Sequence, residues 1–223
     1  MKGFSDQHLH ASKRVLEPFD RVSEVLFGLI MVLTFTGSLS VAEAGREDIR
    51  AMLIGALGCN LAWGIIDGVF YLMGCLAEKG RGLKILHAVR RSADTEKAGR
   101  LIAAALPPVV TSVLDAGQLE TISQRLKQLP EPPARVHLAK EDWLGALGVF
   151  LLVFLSTFPV VIPFIFMQNT LPAMRVSNVI AMLLLFVTGL AFGRIVGNRP
   201  LRMGVVMVAT GGLLVALTVA LGG

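Results

Sequence analysis

Residues Trp143–Met167 read WLGALGVFLLVFLSTFPVVIPFIFM, twenty-five positions without a charged side chain. A helix rises about 1.5 Å per residue, and the hydrocarbon core of a bilayer is about 30 Å thick. A run of this length and composition therefore predicts a membrane-spanning helix. Pro159 and Pro163 lie inside the run and predict a kink, because proline lacks the N–H group that an α-helix requires.

Four further apolar runs set the fold class. In chain order they are Val25–Ala42, Ala51–Leu76, Val176–Phe192 and Met203–Leu221. A polar stretch of 66 residues, Ala77–Asp142, separates the second run from Trp143. The chain is 54% hydrophobic and 17% charged, whereas soluble domains are about 25% charged. We therefore expect an all-α integral membrane protein with five transmembrane helices and a small cytosolic helical module between helices 2 and 3.

The predicted organisation has four parts. They are a cytosolic N-terminal arm (residues 1–20), transmembrane helices 1 and 2 (21–76), the cytosolic helical insertion (77–142) and transmembrane helices 3–5 (143–223).

The insertion is predicted to consist of short helices. The second membrane helix is expected to continue toward Arg91, and Ser92 or Asp94 to cap the next helix. Pro107-Pro108 breaks that helix. Apolar residues then recur at helical spacing at Val110, Val113, Leu114, Leu119, Ile122 and Leu126.

Lysine and arginine are distributed unequally between the two predicted sides of the membrane. Of 21 such residues, 18 fall in the first 21 residues, the insertion and the loop before the fifth run, and only Arg46, Arg50 and Arg175 fall on the other side. The positive-inside rule places the N-terminus and the insertion in the cytosol and the C-terminus outside. The insertion contains no Phe, Tyr or Trp, so we expect the lipid bilayer, and not nucleic acid, as partner.

Enzyme motifs are missing from the sequence. It has no Gly-rich nucleotide loop, no His-Glu-x-x-His and no Gly-x-Ser-x-Gly. We therefore expect neither an enzyme nor a cofactor.

Polar side chains in the first two helices form the candidate ion path. Asp20 and Glu24 share one face of the first helix, which Met31 continues. In the second helix, Asp67 is the single charged residue of its run, and Asn60 lies on the same face. A carboxylate inside a membrane segment marks a functional site by default.

The ends of the apolar runs indicate how deep these groups lie in the membrane. Asp67 is then about 13 Å from the inner end of its helix, level with Met31, and Asn60 is level with Gly37–Ser38. Asp20 and Glu24 lie at the cytosolic mouth, and Met73 lies near Asp67. Carboxylate plus thioether favours a borderline transition metal over a hard ion.

Structural alternatives exist for each group. Asp67 can pair with Arg21 or with a backbone amide across the bundle, and Glu24 near the interface can be solvated or paired with Arg21. Met31 and Met73 can be packing residues, and Asn60 can hydrogen-bond another helix.

Small residues on the second helix predict a symmetric homodimer joined through the first two helices. Gly64 and Gly68 form a GxxxG pattern, and Gly74 follows one and a half turns later. Such residues let helix backbones approach closely.

Five local patterns resemble the vacuolar iron transporter family. They are Gly28-Leu29, Gly37–Ser40, Gly74–Lys79, Phe158–Phe164 and Asn198–Arg202. The layout of five helices, with a helical module between the second and third, is similar as well. The resemblance implies that fold and a dimer whose first helices line an ion path.

The sequence also departs from that family. Phe27 stands where the family has an Asp before the glycine, and Ala62 and Phe70 stand where its second helix has a Glu and a Met. The glutamates that bind metal in the family's soluble module are clustered, whereas those of this insertion are scattered.

The resemblance implies a secondary transporter that moves ferrous iron or manganese out of the cytosol, coupled to protons. In that reading Glu24 and Asp67 carry ion or proton, and Met31 is a soft ligand. The alternative is a membrane protein of the same fold that does not transport metal: a channel, a carrier of another solute or a partner scaffold.

Overall fold

The computed structural model describes residues 16–37, 46–133 and 135–220, and their regular structure is entirely helical. The helices are α1 (Pro18–Gly37), α2 (Arg46–Arg91), α3 (Thr95–Ala105), α4 (Pro108–Thr111), α5 (Ala116–Gln128), α6 (Lys140–Ser156), α7 (Phe158–Phe166), α8 (Thr170–Ile195) and α9 (Pro200–Ala220). The predicted all-α class is confirmed for this part of the chain.

Three helical stretches are long and apolar enough to cross a membrane. They are Ile49–Arg91, Lys140–Phe166 and Thr170–Ile195, and Pro200–Leu214 is a shorter apolar helix. Residues 38–42 of the first predicted run and residue 221 of the fifth lie outside the described residues. The count of five spans stays a prediction.

The chain forms two compact units. The described residues of Leu72–Asp142 belong to the first unit, and those of Arg14–Tyr71 and Trp143–Gly223 make up the second. The four-part organisation given above is not decided by this division.

The second unit has a continuous apolar core contributed by α1, α2, α7 and α8. Its buried members are Leu29, Val32, Leu33, Ala56, Val160, Val161, Ala181 and Leu185. Helices α8 and α9 approach closely at Gly189, where a Cβ atom would lie 2.6 Å from the Met203 carbonyl oxygen. Only a residue without a side chain fits between these two backbones.

The third apolar run is broken in two at Thr157. Helix α6 ends at Ser156, and α7 begins at Phe158 with Pro159 in its first turn. Pro159 and Pro163 cannot donate main-chain hydrogen bonds, so part of the helical ladder is lost. The helix is thus interrupted next to the predicted prolines, and the kink itself stays a prediction. The buried Ser177 of α8 donates a hydrogen bond of 2.6 Å to the Val160 carbonyl and so ties α7 to α8.

The first unit has its own small core, formed by the end of α2 with α3 and α5. Val89, Ala98 and Ile102 are buried there. The predicted cap at Asp94 is confirmed, because its carboxylate accepts a hydrogen bond from the Glu96 main-chain nitrogen at 2.9 Å.

One predicted stripe of the insertion is wrong. Val110 and Val113 are 40% and 75% exposed, and the helix between the prolines and Asp115 is only four residues long. Pro107 and Pro108 limit α4 to a single turn, which is too short to form an apolar stripe.

The stretch between α5 and α6 is held against α2 by charged side chains. Arg90 donates hydrogen bonds of 3.0 Å to the carbonyl oxygens of Leu129 and Pro130. Lys79 and Asp142 form an ion pair of 2.6 Å, with side chains 3% and 2% exposed. The Ala139 main-chain nitrogen donates to the same Asp142 oxygen at 2.6 Å.

Candidate functional site

The structure brings together the carboxylates that were predicted from the sequence. Glu24 on α1 and Asp67 on α2 are both half-buried, and Asp20 is half-buried one turn before Glu24. Asp67 and Asp20 are close enough to Glu24 for their negative charges to act on it. Two helices of the second unit therefore present acidic groups to each other.

These carboxylates have no cationic partner within the described part of the chain. The ion pairs found there are Lys79–Asp142 and Arg100–Glu96. The alternative in which Arg21 pairs with Asp67 or Glu24 is therefore not formed. Carboxylates whose charges repel one another are unfavourable unless a cation or a proton offsets the repulsion.

Asn60 connects three elements of the second unit. Its side chain is fully buried, and Nδ2 donates hydrogen bonds to the Gly28 carbonyl oxygen, at 3.2 Å, and to Thr157 Oγ1. These contacts join α2 to α1 and to the break between α6 and α7. Among the described residues, no group donates to its Oδ1 atom. The hydrogen-bonding alternative for Asn60 is thus the one observed.

The relative depth predicted for α1 and α2 is wrong. Asn60 was expected level with Gly37–Ser38, but it bonds to Gly28, about nine residues or roughly 13 Å away along α1. The proximity of Asp67 to Glu24 agrees with this corrected register. The predicted depth rested on Leu76 as the end of the apolar run, and the ends of apolar runs do not fix how far two helices slide past one another.

The methionines do not join the carboxylates. Met31 is half-buried on α1, about two turns beyond Glu24 and therefore away from the level of Asp67. Met73 is 58% exposed, and it lies about 120° around α2 from Asp67. The corrected register does not favour the predicted pairing of Met31 with Asp67, and ligand roles for both methionines stay predictions.

The glycines assigned to a dimer contact are used inside the chain. A Cβ atom at Gly64 would lie 3.0 Å from the Phe150 ring, and one at Gly68 would lie 3.2 Å from the Ala146 carbonyl oxygen. Both glycines thus pack α2 against α6 of the same chain. Gly74 meets nothing within 4 Å.

The described residues of one chain do not complete a metal site. Among them, no group of three or more His, Cys, Asp or Glu side chains could hold a metal ion. The pair formed by Glu24 and Asp67 can bind a proton, or supply part of the coordination shell of a divalent cation.

Thr157 is the residue of this region that the sequence reasoning missed. It is fully buried and receives the hydrogen bond of Asn60. The available signal was its position before Phe158-Pro159, where a proline interrupts the helix and a polar neighbour can satisfy the freed groups.

A family model described as the VIT family matches residues 101–223, which is more than half of the chain. A search of curated proteins finds no match. The matched residues include α5 to α9, whereas Glu24 and Asp67 lie before them. The match supports metal-ion transport in general as the activity, together with residence in the membrane. The chain belongs to the VIT family, the vacuolar iron transporters.

Proposed function

We propose that the protein is a secondary transporter that moves ferrous iron or manganese out of the cytosol in exchange for protons. The observation that supports the proposal is that the charge of Asp67 acts on Glu24, while neither carboxylate has a cationic partner among the described residues. An ionised Asp at the centre of a membrane helix costs about 2.5–3.5 kcal/mol on insertion scales. Such a group is retained where it performs a task.

The two carboxylates suit an exchange of cation for proton. A divalent cation between them offsets both negative charges, and in its absence a bound proton lowers the repulsion. Bound metal and bound proton would then be alternatives at the same pair of carboxylates, so that release of one accompanies uptake of the other. The outward direction is what the family resemblance implies, and the predicted orientation has the N-terminus and the insertion in the cytosol.

A homodimer would complete the coordination shell. One chain supplies Glu24 and Asp67, and a two-fold axis beside α1 and α2 would add the same pair from a second copy. Beside Asp67, helix α2 presents the exposed apolar residues Ile66 and Phe70. This face can meet a second copy, since the Gly64–Gly68 face is already occupied by α6.

Metal flux into proteoliposomes tests the proposal. Wild-type protein should raise the ferrous iron or manganese signal of a trapped metal-sensitive dye and alkalinise the lumen in step, because protons leave the lumen as metal enters it. Asp67→Asn and Glu24→Gln should each lower the flux at least about tenfold, which corresponds to about 1.4 kcal/mol. Glu141→Gln is the matched control, because Glu141 is an exposed acid of α6. Equal flux in all four proteins would contradict the proposal.

A second candidate is a membrane protein of this fold that does not transport metal. The absence of a three-ligand cluster among the described residues favours it, as does Phe27 at the position where the family has an acid. Wild-type protein that is folded and dimeric but moves neither ion in the same liposomes would support this candidate.

A further inference from the structure

A cleft on the second unit lies away from the carboxylates. It has a volume of about 520 Å³ and is open on one side. Helices α1, α6 and α8, with the first turn of α7, form its walls. The lining includes Leu16, Val25, Leu29, Leu152, Pro159 and Leu184. Its size lies within the roughly 300–1,000 Å³ that ligand pockets occupy.

One cation lines this apolar cleft. Arg21 is exposed, lies in the first turns of α1 and forms no ion pair within the described residues. The other polar group in the wall is Ser156, whose hydroxyl donates to the Val153 carbonyl at 2.7 Å. Arg21 is therefore the group that can recognise a charged ligand.

The acids of α1 point to the other side of the helix. Around α1, Val25 and Leu29 lie about 40° and 80° to one side of Arg21, whereas Glu24 and Asp20 lie about 60° and 100° to the other. The cleft and the carboxylate pair are thus separate sites on opposite flanks of one helix.

A second arginine is placed at the same end of the unit. Phe19 of α1 contacts Phe192 of α8, with ring centroids 6.0 Å apart. The exposed Arg194 follows Phe192 by two residues. Arg194 does not line the cleft, so Arg21 is the cation of its wall. An apolar wall with an arginine at one end complements a molecule that has an acyl chain and an anionic phosphate, which guanidinium groups bind well.

We propose that this cleft binds one anionic phospholipid, with an acyl chain against the leucines and the phosphate on Arg21. In the predicted orientation, Arg21 faces the cytosolic leaflet, which carries the anionic lipids. The proposal is independent of metal transport, because none of its residues belongs to the carboxylate pair.

Native mass spectrometry of the purified protein tests this inference, with dioleoylphosphatidylglycerol and dioleoylphosphatidylcholine added in equal amounts to the detergent. Wild-type protein should retain one phosphatidylglycerol per chain in preference to phosphatidylcholine. Arg21→Gln should weaken retention of phosphatidylglycerol about fivefold, the effect of one cation near a membrane surface. Arg175→Gln should not, because Arg175 is an exposed arginine about 28 Å along α8 from Arg194.

A second pair of variants tests the apolar part of the cleft. Leu155→Trp places a larger side chain on its open side, since Leu155 lines the cleft and is 53% exposed. It should lower retention of phosphatidylglycerol. Leu147→Trp is the control, because Leu147 is 52% exposed on the same helix but does not line the cleft. Equal retention of both lipids by the wild type, an equal loss in Arg21→Gln and Arg175→Gln, or a second copy of the chain held through this face would overturn the proposal.

Discussion

Asp142 and Asp67 are two aspartates of the same chain with opposite surroundings. Asp142, in the first unit, is buried, paired with Lys79 at 2.6 Å and bonded to the Ala139 main chain. Asp67, in the second unit, has a carboxylate neighbour in Glu24 and no cation among the described residues. A charge that is satisfied stabilises a joint, whereas a charge that is left unsatisfied is available to a ligand. The comparison therefore separates a structural role from a functional one.

The largest effect is expected where the satisfied charge is broken. Asp142→Ala leaves the Lys79 ammonium buried, and among the described residues its remaining partner is the His137 carbonyl at 3.4 Å. Removing one member of a buried ion pair costs roughly 3–5 kcal/mol. Thermal unfolding in detergent should show a large fall in the midpoint. Glu141→Ala, at the exposed neighbouring position, should unfold like the wild type, and the same midpoint for both variants would contradict the role given to the pair.

The next largest loss of stability is expected from a larger side chain on the face of α2 that packs against α6. Gly64→Leu should lower the free energy of unfolding by roughly 1–3 kcal/mol, because the new side chain must displace Phe150. Gly58→Leu is the matched variant, since a Cβ atom at Gly58 meets nothing within 4 Å. If Gly64→Leu leaves thermal stability unchanged and only dissociates a dimer, the glycine faces a second copy and the packing described here is not the relevant one.

Sequence reasoning was most successful where a pattern is local. The polar cap at Asp94, the break at Pro159 and the extension of α2 to Arg91 depend on chemistry within a few residues, and each is confirmed. The choice of Glu24 and Asp67 as candidate groups also follows from which residue types a membrane run contains. Their relative depth does not, because it depends on how two helices slide past one another.

The failures share a physical cause. Small residues such as Gly64 and Gly68 indicate a close contact between helices, but they do not identify the partner helix. The contact was therefore assigned to a second copy of the chain, whereas the partner is α6 of the same chain. The apolar stripe predicted at Val113, which is exposed, is wrong for a similar reason. Helical spacing predicts a stripe, but it does not show whether the helix is long enough to form one. The joint made by Asn60 and Thr157 spans 97 residues of sequence, a separation that periodicity does not detect.

That joint provides the third prediction. Asn60→Leu removes the hydrogen bonds to Gly28 and Thr157, and interhelical hydrogen bonds in membrane proteins average about 0.6 kcal/mol each. The loss should be roughly 1–2 kcal/mol in the free energy of unfolding. Thr157→Val tests the partner, and the double variant should cost less than the two single changes added together. Strict additivity would show that the two side chains do not act on each other.

The smallest effect on stability is expected at Asp67, and it is the one that sharpens the comparison most. Asp67→Asn keeps the shape of the side chain and removes one of two neighbouring negative charges. No described cation loses a partner, so the free energy of unfolding should stay within about 0.5 kcal/mol of the wild type or rise above it. Metal flux should nevertheless be lost. A fall in stability comparable to that of Asp142→Ala would mean that Asp67 also completes a structural pair, and its role in transport would then have to be assigned to Glu24 alone. Retained stability with lost flux would show that Asp142 has a structural role and Asp67 a functional one.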